Sequence, residues 1–203
     1  MTDFEEFCKA VGESGPVCVR GGGTHWQFGG SPSPGTREVM APAGVESYDP
    51  AEMTVRVGAG TPLAELSEVM RATGQETTLE GPEGCTVGGV LAVGRSSLRR
   101  ARVGAVADTL LQAKCVGADG KAFIAGGPTV KNVTGYDLCR LLVGSLGTVA
   151  LMGSVLLRTR PAPECTSWLE GDFEPEIVMK SCYRPACLLW NGQTTTVQLE
   201  GYE

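Results

Sequence analysis

Arg20-Gly21-Gly22-Gly23-Thr24-His25 follows directly on Val17-Cys18-Val19, so a short valine-rich run empties into three consecutive glycines. Valine favours extended backbone and glycine carries no Cβ, which predicts a strand ending in a tight loop. Residues without side chains let successive backbone N–H groups converge on an anion, and such a loop suits a pyrophosphate. Taken alone, an ordinary hinge loop accounts for the same glycines equally well. The dinucleotide fingerprint of the Rossmann fold is not met, because Trp26 stands at the third-glycine place after Gly21-x-Gly23, and Leu63 at that place after Gly58-x-Gly60. No Gly-Lys-Ser/Thr occurs, so a Walker loop is absent as well.

Outward from this loop, Phe4, Phe7, Cys8 and Val11 recur at helical spacing before Gly12 and Gly15-Pro16. On the other side a breaker cluster runs from Gly29 to Gly35. Val55 and Val57 alternate with polar residues, Gly58-Ala59-Gly60 turns the chain, and Thr61-Pro62 opens a helix expected to turn Leu63, Leu66, Val69 and Met70 inward. Glu80 to Gly94 reads as a turn-rich stretch, followed by an Arg-rich loop from Arg95 to Arg102. Thr109 to Val116 and Lys121 to Ile124 predict a hairpin across Asp119-Gly120. Thr134 to Leu142 reads as a short helix, and Val149 to Leu157 as a buried strand. Pro161 and Pro163 mark a boundary. Beyond it, Trp168 to Lys180 is acidic and poorly periodic, whereas Ala186 to Trp190 and Thr194 to Leu199 flank Asn191-Gly192 as a second hairpin. A lone hairpin is marginal in water, so this tail is expected to need partners from outside the chain.

The totals bound the function. A chain of 203 residues with 42% hydrophobic content is large enough for a real core. Glycine, 29 of 203 residues, is about twice as frequent as usual and comes in doublets and triplets. A net charge of −6 argues against nucleic acid, whose binding rests on clustered Lys and Arg. The N-terminus lacks the basic start and apolar run of a signal peptide, and eight scattered Cys form no disulfide framework, which points to reduced thiols in the cytoplasm. No Cys-x-x-Cys occurs, so no metal or iron–sulfur ligand set is predicted here. Leu141 to Leu157 is uncharged, yet Gly144, Gly147 and Gly153 interrupt it; a membrane span is rejected, while peripheral membrane association stays open. Asn132-Val133-Thr134 matches a glycosylation sequon, read as coincidence without a secretion signal.

The glycine-rich turns acquire meaning together. The strand ending Arg20-Gly21-Gly22-Gly23-Thr24, then Gly58-Ala59-Gly60-Thr61-Pro62-Leu63, Cys85-Thr86-Val87-Gly88-Gly89-Val90-Leu91-Ala92, Arg102-Val103-Gly104 with Asp108, and Gly144-Ser145-Leu146-Gly147-Thr148 resemble, in order and spacing, the FAD domain shared by p-cresol methylhydroxylase and vanillyl-alcohol oxidase. Lys131-Asn132-Val133-Thr134-Gly135-Tyr136-Asp137-Leu138-Cys139-Arg140-Leu141 is similar to a stretch in the small FAD-binding subunit of bacterial glycolate oxidase. The resemblance implies an α+β fold, a two-lobed FAD-binding domain over residues 1–162, followed by a truncated cap or substrate domain over 163–203. It implies that Arg20, Gly21, Gly22, Gly23, Thr24 and His25 cradle the pyrophosphate, and that Gly84, Cys85, Thr86, Val87, Gly88 and Gly89 approach the flavin-ribityl side. Arg102, Gly104 and Asp108 would line the same cleft, and Gly147, Val149 and Ala150 would hold the adenine or isoalloxazine edge. Some relatives attach flavin to a His inside the first glycine loop; Thr24 takes that place here and His25 falls one residue later, so non-covalent FAD is implied.

Oxidising a 2-hydroxy acid needs a base, a cationic clamp for the carboxylate and a face of the flavin shielded from water. His25 is the only His, and a lone His is more often structural than catalytic; Tyr136 or a partner residue are the other candidates for the base. Arg95, Arg99, Arg100 and Arg102 have two readings, a clamp for a carboxylate or phosphate and, more commonly for such a cluster, a solvated or partner-facing loop with surface ion pairs. The resemblance therefore implies an FAD-holding subunit acting with a larger FAD-containing 2-hydroxy-acid oxidase subunit and an iron–sulfur subunit. Two alternatives are a self-sufficient flavin oxidase and a non-catalytic interaction protein of flavoprotein descent.

Overall fold

Thr2 and Glu5 open the first helix reciprocally: each side chain accepts from the other's backbone N–H, a capping box that starts α1 (Asp3–Val11) and turns Phe7 and Val11 into the core. The structure is a computed structural model and describes residues 2–128 and 136–201. Residues 131–135 of the Lys131-to-Leu141 stretch that carried the nearest resemblance, with the whole sequon and the start of the helix expected from Thr134, lie outside the described residues.

Two sheets flank the future site. β1 (Val17–Val19) and β2 (Arg37–Val39) form a parallel pair, Val17 opposite Arg37 and Val19 opposite Val39. The larger sheet is antiparallel throughout, in the order β3 (Val45–Asp49), β4 (Thr54–Gly58), β8 (Leu151–Arg158), β6 (Leu110–Val116), β7 (Ala122–Gly126). β8 lies at its centre and is buried from Met152 to Leu157, which is why it reads as a continuous apolar run rather than an alternating one. The expected hairpin across Asp119-Gly120 is β6 and β7, with Gly120 at φ 74°.

Three further helices close the core. α2 (Leu63–Arg71) buries Leu63, Leu66 and Met70 as its spacing predicts, but Val69 is 37% exposed, one helical step off the buried stripe. The stretch from Glu80 to Gly94 is not all turn: α3 (Val87–Val93) buries Val87, Val90 and Leu91. Gly88 and Gly89 hid this helix, since glycine is poor in helix interiors and tertiary packing overrides that propensity here. α5 (Leu138–Leu142) buries Cys139 and Leu142. The expected Arg-rich loop contains a single helical turn, α4 (Arg100–Val103).

The tail contains more structure than its sequence suggests. β5 (Gln75–Glu76) pairs with β9 (Arg160–Pro161), and the chain then forms β10 (Cys165–Gly171), α6 (Pro175–Ser181), β11 (Cys187–Trp190) and β12 (Thr195–Gly201). The hairpin of β11 and β12 is not alone, because β10 pairs along the whole of β12, in the order β10-β12-β11. The third strand thus comes from the stretch read as aperiodic, and the need for an outside strand disappears.

Candidate functional site

A cleft of about 720 Å³ opens between the parallel β1–β2 pair and the start of β8. Residues from several separated chain segments line it, within Pro16 to Trp26, Gly29 to Ala41, Ala59 to Pro62, Gly84 to Val93, and Leu146 to Met152. Their meeting depends on glycine where backbones touch. A Cβ on Gly22 would overlap the carbonyl oxygen of Gly84, and a Cβ on Gly88 would stand 2.8 Å from the carbonyl oxygen of Ala59.

The first loop presents unspent donors. Arg20 N–H donates to Val39 O at 2.9 Å, and Trp26 N–H to Gly23 O at 3.3 Å. Between them, the N–H groups of Gly21, Gly22, Gly23, Thr24 and His25 donate to no acceptor among the described residues. Five consecutive N–H groups without an acceptor among the described residues, on the wall of a cleft, are donors of the kind that an anion can use. The N-terminus of α3 contributes less, since Val87 N–H is taken by Thr61 O (2.9 Å), Gly88 N–H by Ala59 O (2.7 Å) and Gly89 N–H by the Thr86 hydroxyl (3.2 Å). At the far end of the same helix, Leu91 O accepts from Gly144 N–H (3.0 Å) and Ala92 O from Leu146 N–H (2.8 Å), which hold the turn before Gly147 against the cleft.

Side chains complete the wall. His25 Nδ1 lies 3.0 Å from the Thr24 hydroxyl, and its Nε2 is buried without a partner. Such an atom requires a bonding partner. Arg20 is already engaged, with Nη1 3.0 Å from Glu38 and its guanidinium 5.0 Å from the Trp26 ring centroid.

Of the residues predicted from sequence, Arg20 to His25, Gly84, Thr86, Gly88, Gly89, Gly147 and Ala150 line this cleft. Cys85 and Val87 do not; they are buried beneath it at 3% and 0% exposure, as the inward positions of a turn and a helix. Val149 lies outside it and is exposed. Arg102 and Asp108 line a separate cavity of about 260 Å³ rather than the same cleft, and Gly104 lines neither. Sequence reasoning missed Gly30, Ser31, Ser33, Met40, Ala92 and Val93 as lining residues; only the breaker cluster at Gly29 to Gly35 signalled the first three.

The Arg cluster forms an internal network. Arg99 reaches Glu200 (2.8 Å), Glu80 (2.7 Å) and Glu76 (3.0 Å), and Arg102 reaches Glu200 (3.3 Å) and the carbonyl of Arg184 (2.7 Å). Burial works against the charge of Arg99, but the bonds from Glu200, Glu80 and Glu76 outweigh it and hold the guanidinium above its ordinary range. Asp108 is paired with Arg140 at 2.6 Å.

Residues 2–126 match the family model described as FAD binding domain, and the chain belongs to that family. Over 180 residues it is 32% identical to the glycolate oxidase subunit GlcE of Escherichia coli (strain K12), covering 87% of this chain and 51% of that protein. It is 34% identical over 148 residues to the D-lactate dehydrogenase of Archaeoglobus fulgidus, covering 72% of this chain and 33% of the other. A solved structure of alkyldihydroxyacetonephosphate synthase superposes with a TM-score of 0.79 at 15% identity, over 98% of this chain and 46% of that one, which shows the shared α+β fold. The chain thus spans about half the length of the E. coli subunit, 51%. FAD is the cofactor of this fold, and the free N–H groups and the orphaned His25 Nε2 fit a diphosphate. No helix among the described residues is long and apolar enough to cross a membrane.

Proposed function

We propose that the chain is the FAD-holding subunit of a glycolate oxidase-like complex that oxidises 2-hydroxy acids. The observation that carries the reading is the run of N–H groups from Gly21 to His25, without acceptors among the described residues, on the wall of a cleft built by several distant segments. In this reading these amides, with His25, grip the FAD diphosphate without a covalent bond. Gly84, Thr86, Gly88 and Gly89 let the cofactor pass close to backbone, and Gly147 and Ala150 border its remaining edge. Cys85 and Val87 support that wall from beneath, and Arg102, Gly104, Asp108 and Val149 are reassigned to the surroundings. Bound FAD supplies two-electron redox chemistry.

The chain's own residues offer binding and orientation rather than substrate chemistry. Tyr136, one candidate for the base, is 93% exposed and so unshielded from water, and His25 is committed to Thr24 and the cleft. The proposal therefore assigns substrate oxidation to a larger FAD-containing partner subunit and onward electron transfer to an iron–sulfur subunit, in the cytoplasm. Its support is the similarity to glycolate oxidase subunits of E. coli and, at 25% identity, of Bacillus subtilis.

The test is a visible spectrum of the purified chain after gel filtration, alone and co-expressed with the larger subunit. Flavin absorbance that co-elutes with the chain supports the reading. A chain that stays colourless after FAD reconstitution, together with a complex that holds no more flavin than the larger subunit alone, refutes it and favours a non-catalytic interaction protein. Oxidation of glycolate by the chain alone refutes the assignment of substrate chemistry to the partner.

A further inference from the structure

The second cavity, about 260 Å³, lies where the central strand ends, at the opposite end of β8 from the FAD cleft. Thr78, Thr109, Arg102, Arg158, Arg160 and Asp108 line it. We propose that it is a binding site for a small oxyanion, a carboxylate or an inorganic phosphate. It is built from different residues than the cofactor cleft and does not depend on that reading.

Charge is the first argument. Arg102 and Arg160 belong to a network in which Arg99, Arg102 and Arg160 face Glu76, Glu80 and Glu200, three guanidiniums to three carboxylates. Arg140 pairs with Asp108 at 2.6 Å and with Asp137 at 3.5 Å. Arg158 has no ion pair among the described residues, so an exposed guanidinium without a carboxylate partner lines the cavity. Such a group at the mouth of a cavity attracts a counter-anion.

Unspent donors are the second argument. Arg160 uses its Nε toward Glu76 at 3.7 Å, yet its Nη1 is buried without a partner. Thr78 and Thr109, 8% and 3% exposed, hydrogen-bond to each other through their hydroxyls and to nothing else through those atoms. In such a pair one hydroxyl donates and the other accepts, so one proton remains uncommitted in a buried place. A proton and a guanidinium N–H that lack acceptors, beside a lone cation, match an oxyanion with several lone pairs.

The experiment is isothermal titration of the purified chain, with FAD and without it, using inorganic phosphate and glycolate as separate probes at low ionic strength. One saturable site is expected for at least one probe. Arg158→Gln should weaken it by about tenfold, the effect of removing one charge-assisted contact. Arg71→Gln, an exposed substitution on α2, should leave it unchanged, and both variants should retain FAD as the parent does. Saturation by glycolate identifies a carboxylate site and saturation by phosphate a phosphate site. Absence of saturation with both probes, or equal behaviour of the two variants, overturns the proposal. Because the titration is also run without FAD, its failure is separable from failure of cofactor binding.

Discussion

Glu200 on β12 stands with 1% of its side chain exposed against Arg99, whose Nη1 lies 2.8 Å from its Oε1. Through this contact the three-stranded tail sheet is fastened to the strand-and-helix body, and Arg102 reinforces it at 3.3 Å. Glu200→Gln keeps the shape but removes the charge that balances two guanidiniums. The expected cost is about 2 kcal/mol, less than for a completely orphaned buried charge because Arg99 retains Glu76 and Glu80. Urea denaturation measures it, and native-state hydrogen exchange should quicken first in β10 to β12. Unchanged exchange there would show that the tail is held by something else.

Gly22→Ala tests the cleft. Its Cβ would overlap the Gly84 carbonyl oxygen, so the two loops must part. FAD affinity is expected to fall by roughly thirtyfold, about 2 kcal/mol, as followed by flavin fluorescence. Gly15→Ala is the comparison: at φ 82° with nothing within 4 Å of the added Cβ, it strains the backbone without crowding a neighbour. It should cost about 1 kcal/mol of stability and leave FAD binding intact.

His25→Ala should lower FAD affinity by about tenfold, the loss of one good hydrogen bond in a sheltered site. Because attachment is expected to be non-covalent, acid precipitation of the FAD-loaded parent protein should release all flavin to the supernatant. A yellow pellet would contradict that expectation.

The thiols predict a pH dependence. Burial, with the neighbouring Cys139, pushes Cys115 up to about 12; burial, with Asp137, pushes Cys139 up to about 11. A group whose pKa is raised by folding contributes stability that is complete below its unfolded value, 9.0, and is lost as pH rises through the folded value. Urea midpoints should therefore fall between about pH 9 and pH 12, and the fall should flatten in Cys115→Ala Cys139→Ala. A profile unchanged by the double substitution would show that other groups cause the loss.

The sequence alone determined the elements whose signal is local. The valine run into Gly21-Gly22-Gly23, the Leu63, Leu66 and Met70 stripe of α2, and the Asp119-Gly120 hairpin are legible because backbone preference and periodicity act within a few residues. The order of glycine-rich turns likewise pointed to FAD before any contact was visible. What the tertiary structure decided is everything that depends on distant chain segments meeting. It made a helix of Val87–Val93 despite two glycines, supplied β10 as the third strand of the tail, and turned Arg99 and Arg102 from candidate ligands into an internal clamp on Glu200. It also moved Arg102 and Asp108 away from the cleft that holds Gly21 to His25. The reason is physical: local propensities are worth a fraction of a kcal/mol per residue, whereas burial and ion pairing are set by neighbours that sequence distance does not reveal.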